Sequence, residues 1–265
     1  WRRLENEHEL TGNDRLLGEA ADIRRLEESV FQLSDYVMYP SREERDLVRA
    51  SFPGKAVMDI PAYIYTKPGL ELVHARVDRW EADRGIGQNR VLFVGGFAHP
   101  PNADAVIWFL QAVEPLLRQA IPGVTILIAG SNAPDELRAL EKPGVEILGR
   151  VSDTRLEELH ETSAAMIVPL RYGAGVKGKV IDAFAKGLPV ISTDVGMQGI
   201  EAADRLAFVA NAPGEFALAV QAALEDRALA ASKARAALEF VERCYTETAV
   251  DAAFADCLAG AGVGA

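Results

Sequence analysis

Ala165-Met166-Ile167-Val168-Pro169-Leu170-Arg171-Tyr172-Gly173-Ala174-Gly175-Val176-Lys177-Gly178-Lys179-Val180-Ile181-Asp182 is the stretch that decides the fold, together with Gly187-Leu188-Pro189-Val190-Ile191-Ser192-Thr193 just beyond it. Ala165–Leu170 is a continuous apolar run, the pattern of a strand buried on both faces. A glycine-rich loop at 173–178 follows. The next residues, about 178–186, are predicted to be helical, because Gly187 and then Pro189 form a stop signal. Pro189–Thr193 is a second apolar run. Strand, loop, helix and strand in this order make a parallel βαβ unit.

The same alternation extends outward from that unit. Val91–Val94 is a strand candidate ending in Gly95-Gly96, and Pro101 sits in the first turn of the following helix, where proline is tolerated. Ala105, Trp108, Phe109, Ala112, Val113 and Leu116 form one predicted apolar stripe on that helix. Further strands are predicted at Val124–Ala129, Val145–Gly149 and Leu206–Val209, and helices at about 134–141, at Asp153–His160 and through 213–258. The implied class is α/β, a doubly wound Rossmann-like parallel sheet. Upstream, residues 14–34 read as a helix, Tyr36–Tyr39 and Ala56–Pro61 as short strands, and Ser41-Arg42-Glu43-Glu44 as a capping box opening a helix to Ala50. This αβαβ segment is too short for a complete domain. Residues 61–89, with Pro61, Pro68, Gly69, Gly85 and Gly87, read as a linker carrying a helical stretch around Leu70–Asp83, and Gly260–Ala265 as a disordered tail.

Composition bounds the function. The 265 residues carry 28 Lys+Arg against 39 Asp+Glu, a formal charge of −11, which excludes a general electrostatic grip on nucleic acid or anionic lipid. Cys244 and Cys257 are too few for a disulfide framework or a structural zinc site. His8, His74 and His160 are scattered and stand at no metal-ligand spacing. No apolar run reaches the roughly 18 residues of a transmembrane segment, and Trp1-Arg2-Arg3-Leu4-Glu5 does not open a signal peptide. The expected location is the cytoplasm. The sequence begins at Trp1 without an initiator Met, and it reads as a segment of a longer polypeptide.

Chemistry concentrates in the glycine loop. Three glycines permit a tight turn and close approach of a ligand, the following helix offers free N–H groups and its positive dipole end, and Arg171, Lys177 and Lys179 add full charge. In an acidic chain this is an anion site for phosphate or diphosphate; the plainer alternative is a tight turn with solvated lysines. Gly173-x-Gly175-x-x-Gly178 with Asp194 downstream also satisfies a dinucleotide fingerprint, although Pro169–Tyr172 separate strand from glycines. An NAD(P)-dependent oxidoreductase therefore stands as an alternative. A Walker A loop fails at Val180, where a Ser or Thr should hold Mg²⁺.

Several segments in order resemble retaining GT-B glycosyltransferases of family 4. Phe93-Val94-Gly95-Gly96-Phe97 with Pro101–Asp104 is similar to the start of that family's C-terminal domain. Gly149–Asp153 is similar to the turn after its central strand, and Pro169–Ala183 with Gly187–Thr193 to its nucleotide-sugar signature. Tyr39-Pro40-Ser41-x-x-Glu44 and Ile60-Pro61 look like the last units of its N-terminal domain. The resemblance implies that residues 1–66 are a remnant of the acceptor-side domain, 67–89 a linker, 90–245 the donor-binding domain and 246–265 a C-terminal helix and tail. It implies donor diphosphate beside Gly95, Gly96, Phe97 and His99, a nucleobase at Arg150 and Val151, and a loop of Arg171, Tyr172, Gly173, Ala174, Gly175 and Val176 around the donor. Lys177 and Lys179 would neutralise the diphosphate in the catalytic step. Asp182 stands where the family has the ribose-binding second Glu of an E-x₇-E motif, and Ala174 where it has the first.

The implied activity is transfer of a sugar from a nucleotide-diphosphate sugar to a glycan or lipid-linked acceptor, in synthesis of surface polysaccharide or glycoconjugate. No cofactor is implied, and the lack of an Asp-x-Asp pair fits chemistry without a metal. A non-catalytic nucleotide-binding domain is the other alternative, motivated by Ala174 and Asp182.

Overall fold

The computed structural model describes residues 1–82 and 89–260. In chain order the elements are α1 (Arg2–Thr11), α2 (Arg15–Leu33), β1 (Tyr36–Tyr39), α3 (Arg42–Ser51), β2 (Ala56–Asp59) and α4 (Lys67–Ala82). Then come β3 (Arg90–Val94), α5 (Pro100–Trp108), a π-helical turn (Phe109–Val113), α6 (Glu114–Ala120), β4 (Thr125–Ala129), α7 (Asp135–Arg138), β5 (Val145–Gly149) and α8 (Asp153–Glu161). The chain ends with β6 (Ala165–Val168), α9 (Gly178–Ala185), β7 (Val190–Ser192), α10 (Ala203–Leu206), β8 (Phe208–Val209), α11 (Pro213–Glu225), α12 (Arg227–Cys244) and α13 (Glu247–Gly260).

The predicted strands assemble into a six-stranded sheet of order β5-β4-β3-β6-β7-β8, parallel throughout. The chain works outward from β3 through β4 to β5, then crosses back to lay β6 on the other side of β3. That reversal makes a topological switch point, and it opens a crevice at the carboxyl ends of β3 and β6. Side chains alternate between the two faces of the sheet. Val91, Phe93, Ile126, Ile128 and Ile167 pack against Phe109, Val113, Leu117 and Phe216 on one side. Met166, Val168 and Val190 pack against Val180, Phe184, Leu238 and Val241 on the other.

The helix after β3 departs from its expected face. Leu116 is exposed, whereas Leu117 and Leu110 are buried. The π-helical turn at Phe109–Val113 is the cause. It spends extra residues on one turn, so the apolar stripe is re-phased in α6. The shift also brings the buried Glu114 carboxylate onto Arg118 Nε at 2.5 Å and Lys142 Nζ at 2.7 Å. Burial pushes that carboxyl up, and its two cations hold it net below the ordinary range.

Within the span read as a linker, the expected helical stretch forms and begins three residues before Leu70. Residues 67–82 form α4, whose Leu70, Val77 and Trp80 are buried. Pro68 falls in the first turn, where no intrahelical N–H is required of it. Asp83 and residues 261–265 of the predicted tail lie outside the described residues. Helix α1 had no expectation attached, because its sequence is polar and only Leu4 is buried.

At the N-terminal end, β1 and β2 pair in parallel, Tyr36 opposite Ala56. Their small core is Phe31, Val37 and Val57. Ser41 caps the helix as read, with Glu44 N–H donating to Ser41 Oγ at 3.3 Å, while the Glu44 carboxylate accepts from the Ser41 hydroxyl at 3.1 Å and not from its backbone N–H. Cys244 and Cys257 are free thiols. No described helix is long and apolar enough to cross a membrane.

The packing around the π turn gives a stability prediction. Phe109 is fully buried and meets Phe216 edge-on at 5.9 Å. Phe109→Ala should destabilise the protein by about 3–5 kcal/mol, the cost of emptying a large aromatic site. Urea titration followed by circular dichroism checks this, and a loss under about 1 kcal/mol would contradict it.

Candidate functional site

The crevice is built by loops that hydrogen-bond to one another along the carboxyl edge of the sheet. Gly95 N–H donates to Ala129 O at 3.0 Å, Phe97 N–H to Ser131 O at 2.9 Å and Gly130 N–H to Gly149 O at 2.9 Å. A Cβ on Gly130 would collide with the Gly95 carbonyl, so the loops after β3 and β4 approach as closely as backbones can. Gly149 takes a left-handed φ of 65° and turns the chain toward Arg150 and Val151. Val151 packs beside Leu159, and Arg150 is exposed.

Two lysines enter this edge from the amino end of α9. Lys179 Nζ donates to Asn102 Oδ1 at 2.6 Å and lies 4.3 Å from the centre of the Phe93 ring. Asn102 is buried, and its Nδ2 donates to Gly96 O at 2.8 Å. The amine is thus held beneath the Gly95-Gly96 loop by groups from the opposite side of the switch point. Burial, with the charge of Lys177 adding to it, brings the Lys179 amine down to about 7. Lys177 is the N-cap of α9 and donates to Gly175 O. Burial lowers it to about 8, opposed by the carboxylates of Glu44 and Glu43. Both amines stand well below their ordinary value, Lys179 with no carboxylate opposing the shift, and a polyanion at the helix end would raise them.

The structure brings some expected site residues together and sets others aside. Gly95, Gly96, Gly173, Ala174, Gly175, Val176, Lys177 and Lys179 share the crevice region. Phe97 turns its ring into the core, stacked on Phe93 at 6.0 Å, so only its backbone belongs to the edge. His99 is exposed at the N-cap of α5, its imidazole lowered by burial and by Arg3, Lys179 and Lys177. Arg171 is occupied: it forks onto Asp104 of α5, with Nε to Oδ2 at 2.9 Å. Tyr172 is buried rather than lining an open pocket, and burial raises its phenol to about 12. Asp182 lies on α9 with His160 Nε2 at 3.8 Å, and its charge helps burial to raise the Tyr65 phenol.

Residues not singled out as site candidates complete the crevice. Asn102 is one. Others come from the N-terminal segment: Asn6 Nδ2 donates to Gly173 O at 2.8 Å, Glu44 lies against Gly175, and the Tyr63 hydroxyl lies against Gly178. No local pattern announces such contacts, because they span more than a hundred residues of sequence.

The dinucleotide reading loses ground on this geometry. Its glycines follow β6, the fourth strand of the sheet, and not β3. The Asp194 carboxylate accepts from Asn211 Nδ2 at 2.6 Å and is already engaged. Among the described residues, no three His, Cys, Asp or Glu side chains are grouped to hold a metal ion.

Comparison with known proteins agrees with the topology. The family model described as glycosyl transferases group 1 matches residues 88–226, more than half of the chain. The chain belongs to the group 1 glycosyl transferases. A relative from Klebsiella pneumoniae, described as an uncharacterized 44.6 kDa protein in the cps region, is 31% identical over 116 residues, which is 41% of this chain and 30% of that protein. Three solved structures share the fold. TarM of S. aureus, in complex with fondaparinux, alpha-GlcNAc-glycerol and UDP, superposes with a TM-score of 0.66 at 12% identity, covering 86% of this chain and 44% of its own. Sucrose-phosphate synthase from Thermosynechococcus elongatus gives 0.67 at 20%, covering 89% and 60%. HepE from Anabaena, in complex with UDP and glucose, gives 0.67 at 14%, covering 91% and 67%. This group 1 glycosyl transferase chain therefore spans about a third of its curated relative and about half of TarM.

Two outcomes follow from the site. Diphosphate binding should take up protons, since an anion raises amines that stand at about 7 and about 8. Affinity for UDP should fall between pH about 7 and about 9, by up to tenfold per unit for each lysine that titrates. Calorimetry in buffers of different ionisation enthalpy checks both sign and proton count. Gly130→Ala should displace the Gly95 carbonyl and weaken UDP binding at least about tenfold while the chain stays folded; unchanged affinity would contradict the role given to that contact.

Proposed function

We propose that this chain is the donor-binding portion of a retaining glycosyltransferase. It would transfer a sugar from a nucleotide-diphosphate sugar to a glycan or lipid-linked acceptor, in surface polysaccharide or glycoconjugate synthesis. The carrying observation is the pair Lys177 and Lys179 at the amino end of α9, with Lys179 clamped to Asn102 under the Gly95-Gly96 loop. Glycosyl transfer requires the leaving diphosphate to be stabilised as charge builds on it. Positioned amines and helix N–H groups in a partly dehydrated site do that work without a general base. Lys177, whose Nζ is beside the loop carbonyl of Gly175, and Lys179 would share the charge of the two phosphates. The reading takes residues 90–245 as the donor-binding domain and residues 1–66 as a remnant of the acceptor-side domain within a larger polypeptide. It needs no metal. Support for the polysaccharide setting is the cps-region relative, and support for a uridine nucleotide is the UDP in the TarM and HepE structures.

Calorimetric titration with UDP, GDP, ADP and NAD⁺, with and without EDTA, tests the reading. One nucleoside diphosphate should bind, unaffected by EDTA, and Lys179→Ala should weaken it at least about tenfold, the scale of a lost charge-assisted contact. Preference for NAD⁺, or binding indifferent to Lys179, would overturn it.

A further inference from the structure

The glycine loop carries no polar side chain at its tip: residues 173–176 are Gly, Ala, Gly and Val. A loop that held only phosphate would not distinguish one sugar from another. The structure nevertheless sets a carboxylate on that tip, and it comes from a distant part of the chain. A Cβ added to Gly175 would lie 3.1 Å from Glu44 Oε1 and 3.5 Å from Oε2. Glu44 belongs to α3, more than a hundred residues upstream.

That carboxylate is fixed. The N-cap ties Glu44 Oε2 to the Ser41 hydroxyl at 3.1 Å and the Glu44 N–H back to Ser41 Oγ at 3.3 Å. Ser41 itself is buried. The neighbouring Glu43 is used otherwise, by Arg2 at 3.2 Å and Gln198 at 2.9 Å. Glu44 forms no salt bridge among the described residues; its charge acts on Lys177 from beyond contact, and Oε1 keeps acceptor capacity toward the loop. Next to it opens a cleft of about 210 Å³ whose lining mixes aromatic and charged side chains, among them Phe31, Tyr39, Arg2, Arg3 and Arg24, and includes Ala174 of the loop.

A fixed carboxylate beside a diphosphate site repels the phosphates. Its charge already helps to keep Lys177 protonated, and a sugar at the ligand's other end would bring hydroxyl donors to it. We propose that Glu44 is a specificity-determining residue that accepts hydrogen bonds from hydroxyls of the transferred sugar. It supplies from α3 the polar contact that Ala174 cannot make. This rests on the donor-site reading above and adds to it the residue that tells sugar nucleotide from bare nucleotide.

The experiment compares affinities in matched pairs: UDP with UDP-glucose, GDP with GDP-mannose and ADP with ADP-glucose. In the unaltered chain one sugar nucleotide should bind more tightly than its own diphosphate. Glu44→Gln should erase that difference, an effect of about tenfold to a hundredfold for a hydrogen bond to a charged group. The affinity for the bare diphosphate should change less than that for the sugar nucleotide, because removing a charge that repels phosphate is set against removing one that keeps Lys177 protonated. Ala174→Glu added to Glu44→Gln should restore the difference by placing a carboxylate on the loop itself. Equal effects of Glu44→Gln on diphosphate and sugar nucleotide would overturn the proposal while leaving the donor site standing. So would no effect on either. Failure of all pairs to bind the unaltered chain would overturn the donor-site reading and this proposal with it.

Discussion

The hydrogen bond from Lys179 to Asn102 spans the switch point of the sheet, and the crevice takes its form from it. One partner rides on the helix after β6 and the other on the helix after β3. Asn102 spends its amide N–H on the Gly96 carbonyl, so a single buried side chain fixes the glycine edge and aims the amine. Dehydration of that amine is the energetic cost of the arrangement. A protein can carry such a cost where an anionic ligand will relieve it.

The sheet was legible because most strands, β4, β6 and β7 above all, are buried on both faces and so read as unbroken apolar runs. The helices between them were legible through caps and stop signals. Where readings diverged, the cause was either local geometry or distance. One π-helical turn moved the buried position from Leu116 to Leu117, and composition does not reveal a π turn. The helical stretch expected from Leu70 starts at Lys67, because a helix accepts Pro68 and Gly69 in its first turn. In the crevice, Lys177 and Lys179 stood out as charge in an acidic chain beside glycines. Arg171 stood out equally and is held by Asp104, a partner 67 residues away. Asn102 and Glu44 could not be ranked from sequence, since buried amides and capping carboxylates are commonplace until the fold gives them neighbours.

The N-terminal segment is more than an attachment to the sheet. Asn6, Glu44 and Tyr63 each touch a different residue of the glycine loop and the start of its helix. Gln198 and Glu201, on the loops after β7, answer with contacts to Glu43 and Arg42. The glycine loop is therefore flanked by the N-terminal segment, which the loop after β7 holds in turn.

The π-helical turn also bears on how such a chain can drift in length. Surface loops absorb gained or lost residues at small cost. The helix after β3 has that freedom in one direction only, because its second half is phased by the five residues Phe109–Val113. Loss of one residue there would turn the π turn into α-helix and leave α6 in phase, whereas gain of one in α6 would rotate everything downstream of it by about 100°. A gain just before Glu114 would turn Leu117 out of the core and carry Glu114 and Arg118 together away from Lys142. The π turn is thus the place in this helix where a residue can be given up.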